Sequence, residues 1–465
     1  MRRLPWLFLV LAACGDDSAR KIVDAPPGPH DTPPMIDTPP QPLAVLVTVV
    51  YPDGTPIPGV KVYFQNADSS VVGAAALDAN GNARQVMNAG GYATALVPNI
   101  LIGGFGGGMQ YSVATWAGVK PGDHLIFTTP AGGGAPIQTT ITIPLDTAAG
   151  ITQYVVQSTC GGQTQVGLPS GSGATSVSTP FYFDAGCTAA DIFVAGVDAN
   201  YQPVSSFSIP AQPVTANEVI DYTAQTYTAA GTRTYTFDNF PGGLAIDVFD
   251  NLATGRGQLY SGVGAQTSTA NPATLTVPYP ARPAGSLDVV FSSQQASNTN
   301  RNLVEWGTTG AYEQDWGAHL LPDFATAPTF DTGTHVVSWT TGGGALTADF
   351  AEASVLVSRA TVTWTWEIVA PSGTQIAFPN LPTDVADLNI AATDSYNFDG
   401  SGVVRVAKVP GGYDAVRGSI FASSAFLPTG ATGTASFSDY QPPLTVAAKH
   451  NAAKRDVMRR WIRPR

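Results

Sequence analysis

The chain has 465 residues, 12% of them charged and 44% hydrophobic, with 49 glycines and 37 prolines. That length exceeds one ordinary sandwich and predicts about two to four domains, and low charge with abundant Gly and Pro argues against a helical or α/β protein, whose apolar stripes would be flanked by Glu and Lys. The net charge is −12, yet the last seventeen residues alone carry +6, so residues 14–448 stand near −20, which argues against nucleic acid as a partner of the folded part.

At the amino end, Arg2 and Arg3 precede an apolar run over residues 4–11, followed by Ala12, Ala13 and Cys14. The run is too short for a stable transmembrane helix, and the two cations hold its start on the cytoplasmic side. No later apolar run approaches a spanning length. Leu11-Ala12-Ala13-Cys14 resembles the lipobox of bacterial lipoprotein signal peptides. The resemblance implies that residues 1–13 are removed and that Cys14 is lipidated, attaching the protein to a membrane through covalent lipid. Gly15 stands where an aspartate would retain such a protein at the inner membrane, although Asp16 and Asp17 follow closely. The implied location is the cell envelope of a Gram-negative bacterium, at the outer membrane. An ordinary signal peptide cut nearby would instead leave Cys14 as a disulfide partner. The cysteine count favours the lipid: Cys160 and Cys187 already form an even pair, as an oxidising compartment requires.

Residues 14–41 hold seven prolines, with Asp31-Thr32-Pro33-Pro34 repeated as Asp37-Thr38-Pro39-Pro40. Such a segment buries no core; extended as polyproline II at about 3.1 Å per residue, it would reach roughly 80 Å from a lipid surface. It is either a tether or a plain disordered leader.

Residues 42–145 are the first folded unit. Val45, Val47, Val49 and Tyr51 alternate with their neighbours, Pro52-Asp53-Gly54 turns the chain, and Val60, Val62 and Phe64 continue at period two, the pattern of a hairpin. The stretch from Val49 through Pro52-Asp53-Gly54-Thr55-Pro56-Ile57-Pro58-Gly59 to Val60, with Leu77-Asp78-Ala79-Asn80-Gly81 and Gly90-Gly91-Tyr92, resembles the carboxypeptidase regulatory-like and bacterial Ig-like families. That resemblance implies a seven-stranded sandwich used as an accessory or adhesive module, with no catalytic residues.

Residues 146–282 are expected to form a second sandwich of short strands, carrying a structural Cys160–Cys187 disulfide. Residues 283–446 are the third, after Pro278, Pro280 and Pro283. Its clearest strand covers residues 361–369, with Val362, Trp364, Trp366 and Ile368 on a buried face and Thr361, Thr363, Thr365 and Glu367 on a wet one. This spacing predicts a half-buried antiparallel strand.

Candidate chemistry is sparse. The Gly-x-Ser-x-Gly elbow is missing, and the five histidines have no metal-ligand spacing, so no catalytic residue, metal or cofactor is expected. Asp78, Asn80 and Asn82 begin like a calcium loop, but Ala83 and Ala89 stand where Gly and Glu are needed, and Asp-Ala-Asn-Gly reads as a hairpin turn. Gly103, Gly104, Gly106, Gly107 and Gly108 lack the Lys-Ser/Thr of a phosphate loop. Trp306, Glu313, Asp315 and Trp316 set carboxylates beside indoles, a composition suited to a sugar. In residues 447–465, Lys454, Arg455, Arg459, Arg460 and Arg463 surround Trp461; the cluster either binds an anionic surface, each cation adding about 1 kcal/mol, or is a solvated terminus.

The sequence thus predicts an all-β chain, about three Ig-like β-sandwich domains in tandem after a Pro-rich tether. Its expected role is non-enzymatic: a lipid-anchored envelope protein with a structural or adhesive function, meeting a protein or glycan partner through loops or sheet edges. The alternative is a secreted polysaccharide hydrolase with its site in the third domain.

Overall fold

A computed structural model describes residues 43–51, 55–98, 110–128, 135–169, 173–262, 264–296, 299–307, 310–360, 362–398, 404–418 and 432–440. The protein is all-β, and the described helices are short, among them 412–417. Cys14 of the expected lipobox, the Pro-rich segment, the glycines of 103–108 and the basic tail lie outside the described residues.

Alternation in the first strand works as its spacing requires. In Ala44–Val50, Val45, Val47 and Val49 are fully buried while their neighbours are half-buried. The strand pairs antiparallel with Asn82–Val86 and parallel with His124–Thr128. Across a shared core it faces Val62, Phe64, Ala93, Ala95 and Trp116, which lie on the strands Lys61–Gln65, Gly91–Pro98 and Gln110–Val119. Two sheets with apolar inner faces packed together make the sandwich.

A second pair of sheets packs in the same way. Ile137–Pro144 pairs with Ser176–Phe183 and Val219–Asp221, and five strands in the order Gln163–Gly167, Gln153–Ser158, Ala189–Val197, Pro203–Pro213 and Thr228–Ala229 lie opposite. Ile141, Ile143, Phe181 and Phe183 meet Tyr154, Val156, Ile192 and Val194 in the core. The Cys160–Cys187 disulfide is formed at its margin, with Cα atoms 6.0 Å apart.

The third feature is a sheet of fourteen strands among the described residues. Its path runs from Gly257–Ser261 through Asp247–Thr254, Leu287–Ala296, Thr299–Trp306, Gly433–Tyr440, Val404–Lys408, Phe350–Arg359 and Val362–Pro371, then into Gln110–Val119, Gly91–Pro98, Lys61–Gln65 and Val71–Ala76. One face adds Val289, Val304, Trp306, Phe437 and Phe350 to the first core. The other face carries two further layers. Gly231–Asp238, Ala273–Tyr279 and Tyr312–Asp315 form a small sheet whose Tyr235, Phe237 and Tyr312 pack with Val248, Val290 and Leu303. Thr329–Asp331, Val336–Ser338 and Gln375–Ala377 form another, with Phe330, Val337 and Ile376 against Val355, Val357, Trp364 and Trp366.

The tryptophan strand is half-buried as its alternation requires: Trp364, Trp366 and Ile368 are interior, while Thr363, Thr365 and Glu367 are only partly covered. It is antiparallel to Phe350–Arg359 on one side but parallel to Gln110–Val119 on the other. Hydrogen-bonded ladders therefore cross each expected interval boundary. Gln110–Val119 joins 42–145 to the third interval, Ile137–Pro144 pairs into the second, and Asp247–Thr254 pairs with Leu287–Ala296 across residue 282.

Candidate functional site

The stretch read as a sugar site is taken apart by the fold. Trp306 is 0% exposed and Trp316 2% exposed. The Trp316 indole N–H donates to Ser292 Oγ at 3.2 Å inside the core. Both indoles are interior packing, and neither offers a ring face to a glycan, which corrects the expectation drawn from their position beside carboxylates. Glu313 and Asp315 do share an exposed face, since Tyr312 and Gln314 of the same strand point inward. Asp315 Oδ1 accepts from Asn239 Nδ2 at 3.0 Å and from the Ala318 amide at 3.3 Å, so it serves the local loop.

The other candidates also have local explanations. Asp78 Oδ1 accepts the amides of Asn80 and Asn82 at 2.8 and 2.9 Å, and Gly81 takes φ +76°, so Asp-Ala-Asn-Gly is a turn. Asp198 repeats the arrangement with the amides of Asn200 and Gln202, both at 2.8 Å. His124 Nε2 is 2.9 Å from Thr48 Oγ1, and His335 Nε2 is 2.9 Å from the Ile390 carbonyl. Burial lowers the His319 pKa. Among the described residues no three His, Cys, Asp or Glu side chains gather as metal ligands.

Two features missed at the sequence level stand out. The first is Val71–Ala76, which ends the long sheet and pairs with Lys61–Gln65. Its residues, Val-Val-Gly-Ala-Ala-Ala, include no charge and no proline, and Val71 is 52% exposed. The chain then turns at Asp78 into Asn82–Val86, the end strand of the facing sheet, where Val86 is also exposed. Sheet edges are ordinarily blunted by Lys, Pro or a bulge, because their free N–H and C=O groups accept another strand. Here one bulge interrupts the edge strand itself: Phe64 pairs with Gly73 and Gln65 with Val71, leaving Val72 as the extra residue, while Ala74, Ala75 and Ala76 pair regularly.

The second is a buried charge cluster between the small sheet of Gly231–Asp238 and the long sheet. Arg233 NH1 lies 2.6 Å from Asp250 Oδ2 and 3.1 Å from Asp288 Oδ2, and Arg282 NH1 lies 3.3 Å from Asp288. Tyr235 donates to Asp250 Oδ2 at 2.5 Å and Tyr279 to Asp288 Oδ1 at 2.6 Å. The Arg233 guanidinium sits 5.4 and 5.3 Å from the centres of those two rings. Burial, only partly offset by Arg233 and the Tyr235 hydroxyl, pushes the Asp250 carboxyl up to about 7. Burial also raises Glu305, whose neighbour on the next strand is Val290, itself paired with Asp250.

No protein family matches the chain, and no curated protein does. Among solved structures it aligns with the Bacillus anthracis TIE protein at 10% identity and a TM-score of 0.14, over 59% of this chain and 50% of that one. It also aligns with a Streptococcal ancillary pilin at 9% identity and a TM-score of 0.11, over 71% of this chain and all of that one. The chain thus spans half the length of the first of these, and similarity at this level carries no functional argument.

Proposed function

We propose that this protein is a lipid-anchored display protein of the bacterial cell envelope, held at the outer membrane through Cys14 and meeting a protein partner by strand addition. The observation that supports this is the uncharged, exposed edge Val71–Ala76. An extended segment laid along such an edge gains main-chain hydrogen bonds, and alternate side chains set its specificity. The side chains of Ala74, Ala75 and Ala76 are small, whereas the Gln85 side chain packs against Gly73. The occupant is an extended, apolar-rich segment of another protein, since a charged one would meet no counter-charge on this strand.

Hydrogen exchange tests the assignment on the full-length protein, compared in isolated envelopes and after detergent purification. The amides of residues 71–76 are expected to exchange slowly in the envelope and quickly once purified. Equal exchange in both would remove strand addition. Fractionation of Cys14→Ser tests the anchor separately: release into the soluble fraction supports it, and unchanged membrane association removes it.

A further inference from the structure

We infer that the occupant of the Val71–Ala76 edge carries a Lys or Arg on each side of its apolar run, the two cations meeting Asp68 and Asp78 at the ends of the strand. This rests on the strand-addition reading and names the partner more closely. The edge is uncharged only along its length. Asp68 lies just before Val71 and Asp78 just after Ala76, both exposed, and residues 66–83 hold no Lys or Arg. Local bonds fix both carboxylates without neutralising them. Asp68 Oδ1 accepts from the Ser70 hydroxyl and amide at 2.6 and 2.9 Å, and Asp78 Oδ1 from the Asn82 and Asn80 amides at 2.9 and 2.8 Å. These donors carry no charge. The Ser70 hydroxyl above all holds the Asp68 carboxyl below the ordinary carboxylate range, and the Asn82 amide does the same for Asp78, so both are ionised at neutral pH.

The protein's own cations leave this pair of charges open. Lys61, opposite Ala76 on the neighbouring strand, is bonded to Asp384 at 2.5 Å. Arg84 exerts only the smallest of the effects that lower Asp78. The bulge at Val72 and the Gln85 side chain against Gly73 confine the regular part of the edge to Ala74–Ala76. So short a ladder holds a partner weakly, and complementary charge at its ends then decides which extended segment stays bound. The strand's 6 residues span about 20 Å at about 3.3 Å each, which sets the two cations of an extended occupant about six to eight residues apart. A second copy fits less well. Paired antiparallel about the middle of the strand, it would set Asp68 of one chain beside Asp78 of the other, and like charges in facing positions destabilise a sheet. A segment with acidic flanks would be repelled at both ends.

The test compares hydrogen exchange of residues 71–76 in isolated envelopes between the wild-type chain and the double variant Asp68→Asn/Asp78→Asn. Asparagine keeps an oxygen in place for the same turn bonds and removes only the charge. Exchange in the envelope is expected to quicken about three- to tenfold in the double variant. A similar quickening is expected in wild type when NaCl rises from about 0.05 M to about 0.5 M, which screens the same contacts. Residues 61–65 of the purified variant are expected to exchange as in wild type; should they not, the salt series on wild type decides. Equally slow exchange in wild type and variant, at both salt concentrations, would leave strand addition standing and overturn the charged flanks. Fast exchange in the wild-type envelope would remove strand addition and this inference with it. Slow exchange in purified wild type that strengthens with protein concentration would assign the edge to a second copy and overturn the inference as well.

Discussion

Arg405 shows how much a single charge matters when the fold covers it. Its guanidinium lies 2.5 Å from Asp439 Oδ1 and 3.8 Å from Glu352 Oε2, with all three side chains buried on one face of the long sheet. Removing it leaves two desolvated carboxylates uncompensated, so Arg405→Met is expected to cost about 3–5 kcal/mol in urea unfolding. Lys61 bonds Asp384 at 2.5 Å, but both side chains are about half exposed. Solvent screens that pair, and Lys61→Met is expected to leave the urea midpoint essentially unchanged. Asp250 makes a third case, with pH as the variable. Its folded pKa is raised, so the folded state holds the proton more tightly than the unfolded state. That contribution is fully present below the ordinary carboxylate range near 4 and is lost as pH rises through about 7. Three units at about 1.4 kcal/mol each give an upper bound near 4 kcal/mol. The groups facing Asp250 are Arg233, Tyr235, Tyr260, Tyr279, Arg282, Asp288 and Tyr312. The tyrosines, raised by burial, stay protonated throughout that window. Wild type is therefore expected to lose stability relative to Asp250→Asn between pH 5 and 8 when both are unfolded in urea, and parallel curves would refute it.

At the level of elements, the Cys160–Cys187 bridge closes a 27-residue separation between one hairpin turn and the loop before Ala189–Val197. Loop entropy alone makes such a closure worth about 3.5 kcal/mol. The double variant Cys160→Ala/Cys187→Ala is expected to lose an amount of that order in chemical denaturation, and an unchanged midpoint would show that the surrounding core holds the loop by itself. Both cysteines were legible in the sequence because, once Cys14 is set aside, the remaining two have one partner choice. So were Val45, Val47 and Val49, and Trp364, Trp366 and Ile368, because period two writes burial directly into the chain. Pairing was not legible. Trp366 Nε1 donates to Thr115 Oγ1 at 3.1 Å across 251 residues of sequence, and no local pattern encodes that meeting. Trp306 and Trp316 misled for a related reason: neighbours along a strand face opposite ways, so a carboxylate next to an indole in sequence is not beside it in space. The Asp250 cluster did leave a trace. Arg233 falls in phase with Tyr235 and Phe237, and Asp250 with Val248 and Leu252, placing charges at inward positions of otherwise apolar faces.

At the scale of the molecule, side chains reinforce the ladders that cross the expected intervals. Tyr63 donates to Asp384 at 2.9 Å and Gln65 to the Asn380 carbonyl at 2.6 Å, tying the first interval to the third. Within the second interval, Arg256 meets Asp191 at 3.2 Å and the Ser261 amide donates to Gln157 Oε1 at 2.7 Å, tying its sandwich to the strands it contributes to the long sheet. A fragment of residues 42–145 would lose three things at once. Gln110–Val119 would lose its parallel partner Val362–Pro371, exposing Val113 and Ala117, which belong to the core around Trp364 and Trp366. Ile137–Pro144 would lose both strands it pairs with. The first core would lose Phe350, Val369 and Phe437, which close it from the far side. Small sandwiches bury only a modest fraction of their surface and tolerate such losses poorly. The fragment is therefore expected to bind a hydrophobic dye and to unfold without a sharp transition in calorimetry, whereas the full chain is expected to unfold cooperatively. A cooperative transition in the isolated fragment, with no dye binding, would mean that the first sandwich is self-sufficient and that the shared sheet is a contact between finished units.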